Sequence, residues 1–162
     1  MRPVLQWPDR RLRTAAAPVA AVTDEVRAIW DEMIEVMEAM PGVGLAAVQL
    51  GEMLRLAVVD ASDRRGQAVR LANPGIVSAS PEMRAHEEAS PCLPGVSARL
   101  ERPASVTVQF LDESGEAAQR EFSGLWATSV QHQIDHLDGR MYFERLSSLK
   151  KRMLLKRAEK MR

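Results

Sequence analysis

His132 and His136 stand four residues apart in Gln131-His132-Gln133-Ile134-Asp135-His136. On a helix that spacing puts both imidazoles on one face about one turn apart, as in a helix that gives two nitrogen ligands to one divalent metal. Val130, Ile134 and Leu137 give the same stretch an apolar face, so a helix here belongs to the core rather than the surface. A catalytic metal needs a third protein ligand and an open position for water. Cys92, the single cysteine, is the natural candidate, although lone buried cysteines are usually inert small hydrophobes. A third element is Gly42-Val43-Gly44-Leu45-Ala46-Ala47-Val48-Gln49, whose small residues leave the backbone open to close approach by another chain. It has no lysine and no preceding strand, so it is not a phosphate loop.

The elements that must position these groups follow from periodicity. Val26, Ile29, Trp30, Met33, Met37 and Met40 recur at three- and four-residue spacing and predict a helix over 24–40, capped by Thr23 and ended by Pro41-Gly42. Residues 45–122 are strand-rich. Segments 54–60 and 105–111 fit half-buried strands, and Asp112–Glu116 gives the second a hairpin turn. Glu88–Gly95 is expected as a loop or irregular strand. The helix bearing the histidines runs from about Gly124 to Leu137 and stops at Asp138-Gly139. A last helix of roughly 13 residues follows Ser147-Ser148. Helix, short strands, helix and helix imply an α+β fold in one domain over 1–162.

Composition is that of an ordinary globular chain, 46% apolar and 27% charged. No apolar run of membrane-spanning length and no secretory leader is present, and one cysteine excludes an internal disulfide, so a cytoplasmic location is expected. The net charge of zero is unevenly spread. Residues 145–162 carry eight basic side chains against Glu159, leaving 14 basic and 21 acidic side chains in the body. A basic C-terminal helix over 145–162 is either a surface for an anionic partner or a solvated face.

Together the three elements resemble the peptide deformylases. That family is marked by Gly-x-Gly-Leu-Ala-Ala-x-Gln, Glu-Gly-Cys-Leu-Ser and Gln-His-Glu-x-Asp-His-Leu segments in this order, and the likeness extends over nearly the whole chain. It includes the opening Val4–Arg13 and the Arg102-Pro103 before a Val-rich strand. The resemblance implies short antiparallel sheets around a central metal-ligand helix, with an N-terminal and a C-terminal helix. It implies removal of the formyl group from N-terminal methionine of nascent peptides, with one divalent metal (Fe²⁺, Zn²⁺ or similar) held by two His and one Cys. Gln49 and a backbone N–H after the cysteine would stabilise the oxyanion. The peptide would lie along Gly42, Val43, Gly44 and Leu45 as an added strand. Glu88, Leu125, Thr128 and Ser129 would also contact it, the two hydroxyls suggesting a more polar or smaller side-chain pocket. The basic helix would contact the ribosome; neither a membrane nor DNA is expected as a partner.

Three departures fall on the chemistry. Gln133 holds the place of the catalytic glutamate, and an amide cannot accept a proton near neutral pH. Losing a general base costs about 10²–10⁴ in rate. Aligned without gaps, Ser90 holds the cysteine position, and Cys92 is displaced by two residues, or about 6.5 Å along a strand. Pro91 then stands where the oxyanion N–H belongs and has none. Either the segment slides, bringing Cys92 to the metal and Leu93 to the oxyanion position, or the site is a two-His remnant that is impaired or empty. Glu87 or Glu88 could act as base only by reaching the metal, and His86 is expected at the surface. Two functions follow: a deformylase-like protein with lost or strongly reduced activity, or a divergent metal-dependent amidase acting on N-acyl peptides.

Overall fold

A computed structural model describes residues 2–161. Thr23 opens the first helix, α1 (Asp24–Ala39), its hydroxyl accepting from Val26 N–H at 3.2 Å. Asp24 and Glu25 in the first turn complement the helix dipole. The apolar stripe Val26, Ile29, Trp30, Met33 and Met37 is buried, as the three- and four-residue spacing requires.

Seven strands follow: β1 (Gly44–Ala46), β2 (Leu56–Val59), β3 (Val69–Ala79), β4 (Met83–Ser90), β5 (Leu93–Pro103), β6 (Ser105–Leu111) and β7 (Ala117–Ser123). All pairings are antiparallel. One sheet has the order β1-β2-β3-β6-β7, and β4-β5 form a separate two-stranded sheet. The expected turn at Asp112–Glu116 closes β6 onto β7, with Gly115 N–H on Asp112 O at 2.9 Å.

Helix α2 (Leu125–Leu137) lies between these layers, buried at every position from Ala127 to Leu137. Val130, Ile134 and Leu137 pack with Val106, Val108 and Phe122 of the large sheet. Helix α1 covers the end of that sheet near β1 and β2. The last helix, α3 (Ser148–Lys160), buries Leu154 and Ala158 against a cluster that includes Leu100 of β5, Tyr142 and Phe143. Ser147 caps it, accepting from Lys150 N–H at 3.2 Å. This is the expected α+β arrangement around a central helix.

Two local expectations are corrected. Glu88–Gly95, expected as a loop or irregular strand, is a hairpin: β4 and β5 meet at a Pro91-Cys92 tip closed by the Ser90–Leu93 pair, with the irregularity confined to a register shift between Glu88 and Ser90. Proline there supplies the fixed φ that the first corner of such a turn needs. Arg145 belongs not to the basic helix but to a 3-10 turn at Tyr142–Arg145, and it reaches into the body of the protein.

The inner side of α2 is held by charge. Arg102 is 2% exposed and grips Glu88 with two bonds (2.6 and 2.9 Å) and Asp135 with one (3.0 Å). Asp135 is held from its other side by Arg145 at 2.7 Å through each oxygen. Removing one member leaves the others buried and unpaired, which costs about 3–5 kcal/mol. Arg102→Met should lower unfolding free energy by that order in a urea titration. Arg27→Met, which breaks an exposed pair with Asp24 and an exposed hydrogen bond to Glu113 O, should shift the midpoint far less.

Candidate functional site

A cleft of about 440 Å³ opens where β1, the β4–β5 hairpin and the outer face of α2 meet. Its walls include Gly42, Val43 and Gly44 with Gln49 from the first segment, Glu88, Ser90 and Pro91 from the hairpin, and Leu125, Thr128, Ser129, His132 and Gln133 from α2. The three segments singled out in the sequence therefore converge on one place. Leu45 lies in β1 with its side chain in the core, so any contact it makes with a ligand is through backbone.

The hairpin tip decides the metal question. Ser90 and Pro91 line the cleft, whereas Cys92 and Leu93 lie behind it in the apolar cluster with Leu12, Tyr142 and Phe143. Trp7 N–H donates to Cys92 O at 2.8 Å, and the Gln6 amide donates to Pro91 O at 3.0 Å. The N-terminal segment thus pins both residues of the turn, with Cys92 held away from the cleft. The Cys92 thiol instead sits 3.5 Å from Gln49 Nε2. Burial pushes its pKa up, more than the contacts with Gln49 and Ser90 pull it down.

The histidines are ordered unequally. Burial would raise the Glu88 carboxyl, but hydrogen bonds from His132 and Arg102 outweigh it and hold its pKa at about 2. Glu88 is thus anionic and accepts from His132 Nδ1–H at 2.8 Å, so Nε2 is the ring nitrogen left for another partner. His136 is fully buried, its rings 5.0 Å from His132 centre to centre, and neither of its nitrogens has a partner. Burial keeps its pKa well below the ordinary value, so it is neutral.

Two imidazoles one helical turn apart are a fit for a metal, but the rest of the donor set is not. Ser90 offers a neutral hydroxyl that already accepts from Cys92 N–H at 3.2 Å. Among the described residues no three His, Cys, Asp or Glu side chains are gathered to hold one ion. The three-ligand site implied by the resemblance does not fit these residues. Pro91 at the cleft wall also brings no N–H, and Cys92 N–H is taken by Ser90.

Gln133 fills space beside the first segment. A Cβ built on Gly44 would lie 2.5 Å from both Gln133 Nε2 and Ser129 Oγ, so any other residue here would push these two side chains aside. Ser129 donates to Val43 O at 2.8 Å, and Gln133 Oε1 is buried with no partner. An acceptor without a donor is waiting for one from a ligand or water. Gln49 is fixed by accepting Ala46 N–H at 2.9 Å through Oε1, which turns its NH₂ toward Cys92.

Two residues escaped the sequence reading. His86, expected at the surface, is half-buried and lines the cleft, with Nδ1 buried and unpartnered. Arg84, two residues earlier, donates to Thr128 Oγ1 at 3.1 Å. Arg84, His86 and Glu88 alternate along β4 and so share one face, but residue order alone does not say which face meets α2. Glu87 also lies at the cleft but is exposed and engaged by Ser97 Oγ at 3.0 Å.

Known proteins resemble this chain throughout. The model of the polypeptide deformylase family matches residues 1–152. A peptide deformylase of Rhodopseudomonas palustris strain BisB5 is 41% identical over 99% of this chain and 94% of its own. One from Methylocella silvestris is also 41% identical, over 99% of this chain and 84% of its own. Among solved structures, the peptide deformylase of Legionella pneumophila superposes with a TM-score of 0.92 at 35% identity, covering 99% of this chain and 95% of that one. The enzyme from Ehrlichia chaffeensis gives the same TM-score at 30% identity, with 99% and 96% covered. A second structure of the Ehrlichia enzyme holds actinonin. With its fold, its three converging segments and its length all matched, the chain belongs to the polypeptide deformylase family.

Proposed function

We propose that this family member holds an N-terminal peptide in the cleft without hydrolysing it, its deformylase activity lost or strongly reduced. The observation that carries this reading is the hairpin tip. Ser90 and Pro91, not Cys92 and Leu93, face the cleft, so the third metal ligand and an oxyanion N–H are missing together. Gln133 removes the proton acceptor as well, since an amide keeps hydrogen-bonding reach without basicity. What remains supports binding: the Gly42–Gly44 edge, the Gln49 amide, and the unpartnered Gln133 Oε1, which an incoming peptide N–H can satisfy. Such a protein would act in the cytoplasm, where nascent peptides are made.

Purified protein dialysed against Zn²⁺ or Fe²⁺ should retain far less than one ion per chain and turn over a formyl-Met peptide at background. The triple variant Ser90→Cys, Pro91→Leu, Gln133→Glu should regain metal retention and turnover together. Wild-type turnover above background that tracks bound metal would overturn the binding-only reading and favour a divergent amidase.

The basic C-terminal helix supports a second, independent contact. Arg145 is committed to Asp135 and Lys151 to Glu144, but Lys150, Arg152, Lys156, Arg157 and Lys160 are exposed on α3 without a carboxylate partner among the described residues. We propose that this face sits on ribosomal RNA. Affinity for ribosomes should fall steeply with salt, and charge reversal at Arg152 and Lys156 should flatten the slope by about 2 in log–log form. Salt-independent binding would remove the proposal.

A further inference from the structure

The Gly42–Gly44 wall of the cleft is held from behind by a loop that does not itself line it. Between β2 and β3 the chain turns around the buried Asp60 carboxylate. That carboxylate accepts from Ser62 N–H at 3.0 Å, from the Ser62 hydroxyl at 2.6 Å and from Gln67 N–H at 2.9 Å. Ser62 Oγ in turn accepts from Arg65 N–H at 3.0 Å. Arg65 itself stands at φ 59°, a left-handed conformation that a residue with a Cβ seldom takes unless its surroundings impose it.

The half-buried Arg65 guanidinium ties three elements together. It donates to Gly42 O at 2.7 Å, to Asp60 O at 2.9 Å, and to the two carboxylate oxygens of Glu38 on α1 at 3.0 and 3.2 Å. Residues 41–43 lie between α1 and β1, in neither helix nor strand, so individual bonds rather than a ladder set their place. Gly42 N–H goes to Met37 O at 2.8 Å, and Val43 O is shared by Asp60 N–H at 2.9 Å and the Ser129 hydroxyl at 2.8 Å. Gly42 has no side chain to anchor it and Pro41 has no N–H. The charged donor on Gly42 O is therefore a large part of what fixes this stretch.

Resting on the peptide-holding reading for its ligand, we infer that Arg65 is a positioning residue of the cleft. It presets the wall at Gly42–Gly44 in the form that receives the peptide, and it touches no ligand itself. A backbone edge binds by matching its N–H and C=O positions to those of the incoming chain. An edge fixed beforehand loses less freedom on binding, so release of Gly42 O weakens affinity without removing any contact to the peptide.

Two measurements on the whole chain test this. In hydrogen exchange without peptide, Arg65→Met should exchange at least about tenfold faster at the Val43 and Gly44 amides, while the amides of β6 keep the wild-type rate. Titration calorimetry with formyl-Met-Ala-Ser should show Arg65→Met binding at least about tenfold more weakly. Arg65→Lys, which keeps a charged donor for Gly42 O, should stay within about threefold of wild type in both. Arg70→Met, which loses surface pairs to Asp31 and Glu113, should change neither. Exchange at the wall that is unchanged in Arg65→Met, or raised equally in β6, overturns the positioning role. A loss in Arg65→Lys as large as in Arg65→Met overturns the assignment to the charged bond on Gly42 O. Failure of the wild type to bind peptide removes the reading beneath, and the exchange comparison, made without peptide, still decides the role of Arg65.

Discussion

Glu88, Arg102 and Asp135 form a buried chain of charges that ties three elements together, with His132 at one end and Arg145 at the other. Each of the three central residues is 5% exposed or less. Charges so deep are tolerated only when every one has partners, and here the two carboxylates share a guanidinium while each also reaches a second cation or imidazole. The arrangement fixes the β4–β5 hairpin against α2, orients the His132 ring, and draws the segment after α2 back over the core. The cleft exists because this network holds its two walls apart at a set distance.

That scaffold has been kept while the chemistry at its surface has changed. The network holds His132 through Nδ1 and leaves His136 buried and unpartnered, a pair still disposed like ligands. Around them, a hydroxyl at Ser90 stands for a thiolate, a tertiary amide at Pro91 stands for an N–H donor, and an amide at Gln133 stands for a carboxylate. Each replacement preserves shape better than reactivity. The hairpin tip is bonded to the N-terminal segment through Trp7 and Gln6, so the displaced cysteine cannot compensate without breaking two backbone carbonyl contacts. On the proposed reading, lost reactivity and a retained binding surface are compatible, because the Gly42–Gly44 edge offers its backbone whatever stands at Ser90 and Pro91.

Much of this was legible in residue order. The stripe from Val26 to Met37 and the caps at Thr23 and Ser147 placed α1 and α3 within a residue or two, because these signals are local. The family motifs placed α2 and the Gly42–Gln49 edge. What sequence could not settle was which of Ser90 and Cys92 faces the cleft, since both lie on the same face of an extended chain and the deciding bonds come from residues 85 positions earlier. His86 was misplaced for a related reason: a strand's alternation is visible, but which face meets α2 is fixed only by docking. Arg145 looked like part of a basic tail until Asp135 drew it inward.

The central claim is that no sulfur reaches the two imidazoles. X-ray absorption at the zinc edge, on protein incubated with Zn²⁺, measures this directly because Cys92 is the chain's one cysteine. The account predicts nitrogen and oxygen scatterers alone around whatever zinc is bound. A resolved metal–sulfur shell at about 2.3 Å, lost in Cys92→Ala, would contradict it.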